Sequence, residues 1–337
     1  MIWLHRYTKL VAASTVLLIA AGGMVTSTGS GLSVPDWPNT YGWFMFSFPV
    51  DKWVGGIVYE HSHRLIASTV GFLTIILTVW TWRVDPRPWV RKLGLAALGA
   101  VILQGLLGGI TVLLKLPPAV SVGHAALAQL FFCITLSLAV FTSPSWLRDP
   151  VENDRRAAPP DRRPSMLRGL ATATTLMIYV QILLGATMRH TNAGLAIPTF
   201  PLAFGHLLPP AWTFGIAIHF AHRVGAVLVA LAILGTAASV RVHYRSAHQL
   251  VRPAILLVVL AAGQIVLGGF VVWSALQPIV NTIHVVNGAF VLGTSLVLTL
   301  RIWRTESARV EDASTVTRTL RPDAGRTGRA AAKESHA

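Results

Sequence analysis

The sequence predicts an all-α membrane protein in which eight transmembrane helices form two pseudosymmetric four-helix bundles. Of the 337 residues, 53% are hydrophobic and only 12% are charged, about half the charged fraction usual for a soluble domain. Apolar stretches long enough to cross a bilayer recur along the chain. The two halves of the chain also share a series of matching motifs in one order.

Eight apolar stretches are long enough to span a membrane, and their ends are placed to within about 2–4 residues. They cover residues 9–27, 61–82, 92–114, 120–142, 168–188, 216–240, 252–274 and 279–303. Because lipid offers no hydrogen-bond partners, only helices and closed barrels can span it. Runs of about 20 residues without alternation of apolar and polar positions exclude the barrel.

The net charge of +15 is distributed as in a membrane protein rather than a nucleic-acid-binding protein. Basic residues gather in alternate loops, at Arg6, Lys9, Arg83, Arg87, Arg91, Lys92, 148–168, Arg241, Arg245, Arg252 and after Arg301. The other loops hold only Lys52, Lys115 and Arg189. By the positive-inside rule, this asymmetry predicts that both termini lie in the cytoplasm and that the lipid bilayer, not nucleic acid, is the partner.

The first apolar stretch could be a signal peptide, because two basic residues precede it. We interpret it as a retained helix, since its removal would leave seven helices and break the pattern of four per half. The one cysteine, Cys133, lies within an apolar stretch. It excludes an internal disulfide and a cysteine-based metal motif, and its expected role is that of a small buried hydrophobe.

An internal repeat divides the chain. The segment Gly31-Leu-Ser-Val-Pro-Asp-Trp-Pro38 is matched by Gly194-Leu-Ala-Ile-Pro-Thr-Phe-Pro201. Further matches pair His63-Arg64 with His222-Arg223, Gln104 and Gly108-Gly109 with Gln264 and Gly268-Gly269, and His124 with His284. Each half contains an even number of helices, so both halves face the same way, related by an axis along the membrane normal.

The repeat predicts four segments. An N-terminal bundle covers 1–142 and a C-terminal bundle covers 168–304. The proline-rich, charged segment 143–167 is expected to be a cytoplasmic linker. The Ala-, Arg- and Thr-rich segment 305–337 lacks apolar periodicity and is expected to be a disordered cytoplasmic tail.

Four histidines recur in this frame, each near the outer start of an even-numbered helix: His63, His124, His222 and His284. Two histidines at one depth on two membrane helices are typical of a site that grips a heme iron from both sides. The duplication predicts two such sites. The alternative is four interfacial histidines, each hydrogen-bonded to a neighbour; zinc competes less well because a closed zinc site needs four ligands.

The residues beside these histidines leave alternatives open. Arg64 and Arg223 could pair with heme propionates or reach lipid headgroups. Glu60 lies three residues before His63, and His219 takes its place in the second half. Glu60 could transfer protons or stabilise a developing cation at an oxidised carbon. It could also be a water-facing carboxylate near a helix N-terminus.

Other features receive no chemical role. The spacing of Gly105 and Gly109 indicates close helix packing, although it could also leave room for a macrocycle. His61 is expected to point away from the iron. No chemistry is assigned to His190 and His206 in an outer loop, or to His5, His243, His248 and His336 on the cytoplasmic side.

With these motifs together, the sequence resembles the heme A synthase family, the membrane enzymes that convert heme O to heme A for terminal oxidases. The segments that carry the resemblance are 28–38, Glu60-His-Ser-His-Arg64, Gln104-Gly-Leu-Leu-Gly-Gly109, Gly123-His124, His219-Phe-Ala-His-Arg223 and Ile283-His284. They cover about residues 5–303, without the linker or the tail. Many bacterial members carry cysteine pairs in the outer loops, and this sequence carries none there.

The resemblance implies an oxidoreductase in a bacterial cell membrane that takes part in oxidase biogenesis. It implies that His222 and His284 hold a resident heme b, and that His63 and His124 receive heme O with Glu60 as the catalytic residue. One porphyrin methyl group would become a formyl group through a hydroxymethyl intermediate. Heme O synthase and an electron-transfer protein are the implied protein partners.

Two other functions compete with this one. A di-heme b-type electron-transfer cytochrome would use the same four histidines without changing either heme covalently. A transporter would also have duplicated halves, but transporters commonly contain broken helices and polar sites near the midplane, and no charged residue lies at mid-depth here.

Overall fold

A computed structural model describes residues 1–148 and 165–319 of the chain, with side chains described up to residue 307. Within these residues, eight helices are long and apolar enough to cross a membrane, which confirms the predicted all-α membrane class. They are α1 Ile2–Ser27, α2 Gly56–Val84, α3 Pro88–Leu113, α4 Pro118–Phe141, α5 Ser165–His190, α6 Phe214–His243, α7 His248–Trp273 and α8 Pro278–Thr319. A one-turn helix covers Pro144–Leu147, and two short 3₁₀ helices cover Met45–Ser47 and Val50–Lys52.

The helices begin one to seven residues before the apolar stretches predicted from the sequence. Each helix continues into the headgroup region of the bilayer. The sequence is less hydrophobic there, but its polar and aromatic residues still belong to the helix. Local signals mark several of these starts. Proline opens α3 and α4, where its missing N–H costs no hydrogen bond. The Thr213 side chain caps α6 by accepting the backbone N–H of Ile216.

The last helix extends beyond its predicted end. We predicted a disordered tail from 305, whereas α8 continues to Thr319, because alanine, arginine and glutamate favour helix even without an apolar stripe. Buried Glu306 anchors this extension, with Arg168 Nε at 2.9 Å and the Tyr244 hydroxyl donating at 3.0 Å. Most of the predicted linker (149–164) and the segment 320–337 lie outside the described residues.

The contacts between helices are consistent with two four-helix bundles. Helices α1 to α4 contact one another in a closed ring, as do α5 to α8, and the two rings meet through α1–α8, α4–α5 and α4–α8. Each ring encloses its own apolar core, around Leu77 and Phe131 in the first and Ile233 and Leu257 in the second. A smaller cluster of Ile19, Phe132 and Ala289 lies between them.

The outer surfaces of the helices carry large apolar side chains that suit lipid. Phe72 and Val259, for example, are 62% and 61% exposed in the middle of α2 and α7. So many exposed apolar side chains would form an aggregation-prone surface in water. In a bilayer the same side chains lie against acyl chains, in agreement with a multi-pass membrane protein.

Two long loops cover one end of the molecule: loop A (28–55) and loop B (191–213). Their backbones repeat as their sequences do. The isolated bridge between Thr40 and Trp43 is matched by that between Ala203 and His206. Both loops also contain a cis peptide bond before the matched proline, at Pro38 and Pro201. The duplication detected in the sequence therefore extends to backbone conformation.

Candidate functional site

The four predicted histidines lie at the end of the helices that loops A and B cover. His63, His124, His222 and His284 are seven to nine residues into α2, α4, α6 and α8, roughly 9–12 Å along each helix axis. The helices that carry each pair are diagonal neighbours in their ring. His63 lies close enough to His124, and His222 to His284, for the rings to interact electrostatically. The structure thus brings together the two pairs predicted from the sequence.

Each of the four rings lies against a glycine of the preceding helix. A Cβ added at Gly22 would stand 3.0 Å from Cε1 of His63, and one at Gly185 would stand 2.9 Å from Cε1 of His222. The corresponding distances are 3.3 Å from Gly108 to His124 and 3.4 Å from Gly268 to His284. Real Cβ atoms essentially never come closer than 3.0 Å, and separations of 3.0–3.4 Å are tighter than nine in ten real Cβ contacts. Glycine at these four positions therefore makes room for the imidazoles.

Three of the four histidines are also held by a glutamine. The side-chain amide of Gln104 donates to the backbone carbonyl of His124 at 3.0 Å, and that of Gln181 donates to His222 at 2.7 Å. Gln264 does the same for His284 at 3.1 Å. In each case the same amide nitrogen lies 3.0–3.2 Å from a ring nitrogen of that histidine. A buried amide thus orients the backbone and the ring together.

The histidine pairs fit a heme on three counts. The rings are partly buried, and Nδ1 of His63, His124 and His284 is buried without a hydrogen-bond partner among the described residues. The glycines let the rings lie between the helices. Paired imidazoles from facing helices are a usual axial ligand set for heme iron. No group of three or more His, Cys, Asp or Glu that could hold a metal ion occurs in residues 1–148 and 165–307, which disfavours zinc.

Arg64 and Arg223, for which heme propionates and lipid headgroups were both open as partners, hold the outer loops. The terminal nitrogens of Arg64 donate to the carbonyls of Val34, Asp36 and Asn39 in loop A, at 2.7–3.0 Å. Arg223 donates to Ile197, Thr199, Pro201 and Leu202 in loop B, at 2.7–3.4 Å. Nε of Arg223 is buried and has no hydrogen-bond partner among the described side chains and backbone. Most donors of both arginines therefore go to loop backbone.

Glu60 is buried, only 3% exposed, so the interpretation of a water-facing carboxylate is wrong. Its two oxygens accept from the Val34 backbone N–H and from Arg64, both at 2.7 Å. In the second half, Nδ1 of His219 accepts from the matching N–H of Ile197 at 3.3 Å. Both residues anchor a loop, but only Glu60 brings a carboxylate close to a histidine pair.

Arg189, near the end of α5, connects the halves, and we did not predict this contact. Arg189 donates from Nη2 to the Gly23 carbonyl at 2.7 Å and to Ser27 Oγ at 2.6 Å, both on α1. It also lies within electrostatic range of His284. His190, which we had placed in a loop, is the last residue of α5.

The structure divides the glycines differently from the sequence interpretation. Gly105 has open space around it, whereas a Cβ at Gly109 would stand 2.5 Å from the Trp37 indole of loop A. The helix-packing interpretation of Gly105 and Gly109 is therefore wrong. His61 is directed into a loop cluster, near Trp53 at 4.7 Å and Phe48 at 5.1 Å, as expected for a residue that is not a ligand.

Gly22, Gly185 and Gln181 were not predicted, although the sequence contains a signal for the two glycines. Loop A and loop B are offset by 163 residues, as are Gly22 and Gly185. The histidines are offset by 159 and 160 residues. Carrying the loop offset back into α1 and α5 would have aligned these two glycines.

Comparison with known proteins agrees with this geometry. The family model of the cytochrome oxidase assembly proteins, COX15-CtaA, matches residues 5–297. A protein of Shouchella clausii named heme A synthase is 30% identical over 271 residues, which are 80% of this chain and 86% of that protein. One of Geobacillus kaustophilus with the same name is 26% identical over 92% of this chain and 96% of its own length. A third, of Symbiobacterium thermophilum, is 31% identical over 66% of this chain and 72% of its own length. With matched motifs, eight spans and paired histidines in one frame, the chain belongs to the COX15-CtaA family of cytochrome oxidase assembly proteins.

Proposed function

We propose that this protein is a heme A synthase, an oxidoreductase that converts a methyl group of heme O to a formyl group through a hydroxymethyl intermediate, in the biogenesis of terminal oxidases. The observation that carries the proposal is the duplicated pair of histidines, each ring seated on a glycine at the same end of its bundle. The names of the relatives agree with it.

The proposal assigns different roles to the halves, which cover 1–142 and 168–304. His222 and His284 would hold heme b as the resident cofactor, and His63 and His124 would bind the iron of heme O. This division is supported by the one carboxylate that lies beside a histidine pair, because Glu60 is in the first half and is replaced by His219 in the second. Arg64 and Arg223 hold the loops over the two sites, and Nε of Arg223 is available to a propionate.

The residues of the first site can position and polarise the substrate. Two imidazoles from rigid helices fix the iron, and the helix walls then hold the edge of the porphyrin. Glu60 is kept in place by Val34 and Arg64, one turn from His63 on the same helix face. There its carboxylate can stabilise positive charge on the methyl carbon or accept its proton as the carbon is oxidised. Bound heme b would supply a route for the electrons that leave.

Topology and partners follow from the same assignment. From the basic loops we infer that both termini, the linker and the 305–337 segment lie in the cytoplasm, which would put both histidine pairs near the outer face of a bacterial cell membrane. A long hydrocarbon tail on heme O suits a site between helices that open to lipid. Heme O synthase as the donor and an electron-transfer protein as the acceptor are the expected protein partners.

Pigment analysis tests the proposal. We expect the purified protein to release heme b together with heme O or heme A, and colourless protein would contradict it. The His222→Ala and His284→Ala variants should lose the heme b spectrum. Glu60→Ala should keep that spectrum and form no heme A; if it loses heme b instead, the assignment of the halves is reversed.

The alternative, a di-heme electron-transfer cytochrome, predicts a different result for Glu60. Glu60→His copies the second half and preserves an acceptor for the Val34 N–H, so loop A should stay anchored. A synthase should then lose heme A formation, whereas a cytochrome should keep both hemes and its electron-transfer rate. Full heme A production by the Glu60→His variant would remove the catalytic role of Glu60.

A further inference from the structure

A glutamine near the glycine that contacts a histidine occurs in three odd-numbered helices and is absent from the fourth. On α3, α5 and α7 a glutamine stands four residues before the glycine that seats a histidine: Gln104 and Gly108, Gln181 and Gly185, Gln264 and Gly268. On α1 the same position before Gly22 is Leu18. The exception belongs to His63, so one histidine of the four lacks the glutamine that holds the others.

We propose that Leu18 makes His63 the releasable axial ligand, so that the His63–His124 site exchanges its porphyrin while the His222–His284 site retains its own. This inference rests on the proposed function, in which substrate must enter and product must leave one of the two sites. It assigns Leu18, Gln104, Gln181 and Gln264 as positioning residues, which act on the hemes through the histidines.

The hydrogen bonds of the glutamines explain how three histidines are held. We call each glutamine that holds a histidine in this way a clamp. Each amide bonds to the backbone carbonyl of its histidine and lies within hydrogen-bond distance of the ring. A turn of the ring away from the heme would therefore break a contact inside the bundle. Each amide nitrogen acts as a donor, so it holds the histidine through the backbone carbonyl. Loss of a residue that orients a metal-binding histidine typically weakens metal binding about 10- to 100-fold, and we expect an effect in this range.

Gln264 is itself held, which makes the clamp of the second site more rigid. Its amide oxygen accepts from the side chain of Asn287 at 2.7 Å, and Asn287 also donates to the Leu260 carbonyl at 3.0 Å. The amide oxygen of Gln104, in contrast, is buried and has no hydrogen-bond partner among the described residues. In the second site, therefore, glutamines hold both histidines, and one of these glutamines has a hydrogen-bond partner of its own. In the first site a glutamine holds only one histidine, and its amide oxygen has no partner among the described residues.

Nothing around His63 replaces the missing clamp. Leu18 packs against the apolar core of the first bundle and offers no donor. Glu60, one turn away, uses its oxygens on Val34 and Arg64. No hydrogen bond to the ring of His63 occurs within the described part of the chain, and its Nδ1 is buried without a partner. The ring lies against Gly22, with no hydrogen bond among the described residues to hold its orientation.

The experiment transfers the glutamine between halves and measures heme release. The purified holoprotein is mixed with excess apomyoglobin, and the heme b and heme O that remain bound are separated by chromatography. In the wild type we expect heme O to leave faster than heme b. Leu18→Gln should slow the release of heme O about 10-fold, and Gln181→Leu should speed the release of heme b about 10-fold. The double variant should reverse the order of release.

Two controls separate positioning from general stability. Leu18→Met keeps an apolar side chain at the same position and should release heme O at the wild-type rate. A merely structural effect would speed the loss of both hemes together. If Leu18→Gln does not fold, Gln181→Leu and Gln264→Leu still test the clamp, since each should speed the loss of heme b only.

Unchanged release rates in Leu18→Gln and Gln181→Leu would overturn the inference while leaving the proposed function intact. A protein that purifies without heme, or that forms no heme A in the wild type, would instead overturn the proposed function. The optical spectrum gives a second readout, because tighter binding by His63 should sharpen the low-spin absorption of the first site without altering the resident heme.

Discussion

At the scale of single residues, the glycines behind the four histidines are as important as the histidines themselves. The four histidines can reach inward because the helix behind each of them presents bare backbone at Gly22, Gly108, Gly185 or Gly268. A methyl group at Gly185 would force the imidazole to shift, and at the other three positions the ring would have to give by a few tenths of an ångström. The ring position is therefore sensitive to a change that barely alters composition.

Gly185→Ala tests this point in the second site. The added Cβ would stand 2.9 Å from Cε1 of His222, so we expect the ring to shift and heme b to be lost or to change to a high-spin spectrum. Gly169→Ala on the same helix is the matched control, since its Cβ would meet nothing within 4 Å. Optical spectra of the purified variants test this expectation. An unchanged heme b spectrum in Gly185→Ala would show that the contact between Gly185 and His222 does not position the ring.

At the scale of elements, an arginine holds each outer loop over its bundle. Arg223 donates four hydrogen bonds to the backbone of loop B. We expect Arg223→Leu to free that loop and to increase its cleavage by an added protease at least several-fold. Arg241→Leu, at an exposed position near the other end of α6, should leave the cleavage rate unchanged. Equal cleavage in both variants would show that the loop is held by other contacts.

The turn between α2 and α3 makes stability depend on pH. Burial of Asp85 would by itself raise its pKa, but hydrogen bonds from the Arg87 side chain and backbone, with the Arg87 charge, hold the pKa below its usual value. Because the pKa of Asp85 is lower in the folded than in the unfolded protein, the carboxylate stabilises the fold at pH values above the unfolded pKa of about 3.9. This contribution is lost as the pH falls through the lower, folded-state pKa.

Thermal unfolding in detergent measures the contribution of Asp85. At neutral pH, Asp85→Asn should cost about 1.5–3 kcal/mol, the usual range for hydrogen bonds to a charged group. The difference between wild type and variant should shrink as pH falls through the acidic range, because the wild-type carboxylate becomes protonated. A difference that is constant from neutral to acidic pH would exclude the ion pair as its source.

At the scale of the whole molecule, the Arg189 cation joins the two halves through hydrogen bonds to α1. Arg189 of α5 bonds to α1, and Ser27 of α1 bonds in turn to Thr282 of α8 at 3.1 Å. We expect Arg189→Leu to lower the unfolding free energy by roughly 1.5–3 kcal/mol per lost hydrogen bond. Arg189→Lys should recover part of this loss in thermal unfolding. A variant as stable as the wild type would mean that apolar contacts alone join the halves.

Much of this architecture could be predicted from the sequence. Long apolar runs gave the helices, and the repeat identified His63, His124, His222 and His284 as pairs, because their spacing survives duplication. The glutamine beside His222 was missed because, at the loop offset of 163 residues, Gln181 aligns with Leu18, so no repeated residue marks the position. The role of Arg189 depends on contact between the halves, which no local pattern encodes.

The contact between each imidazole and the glycine behind it has a consequence for the surrounding lipid. Because backbone, not a flexible side chain, supports the ring, the spacing between the paired helices sets the angle at which the nitrogen faces the iron. Bilayer thickness and lateral pressure act on that spacing. The absorption maxima of the bound heme should therefore depend on the bilayer. The same preparation reconstituted in short-chain and in long-chain lipids should differ slightly in these maxima.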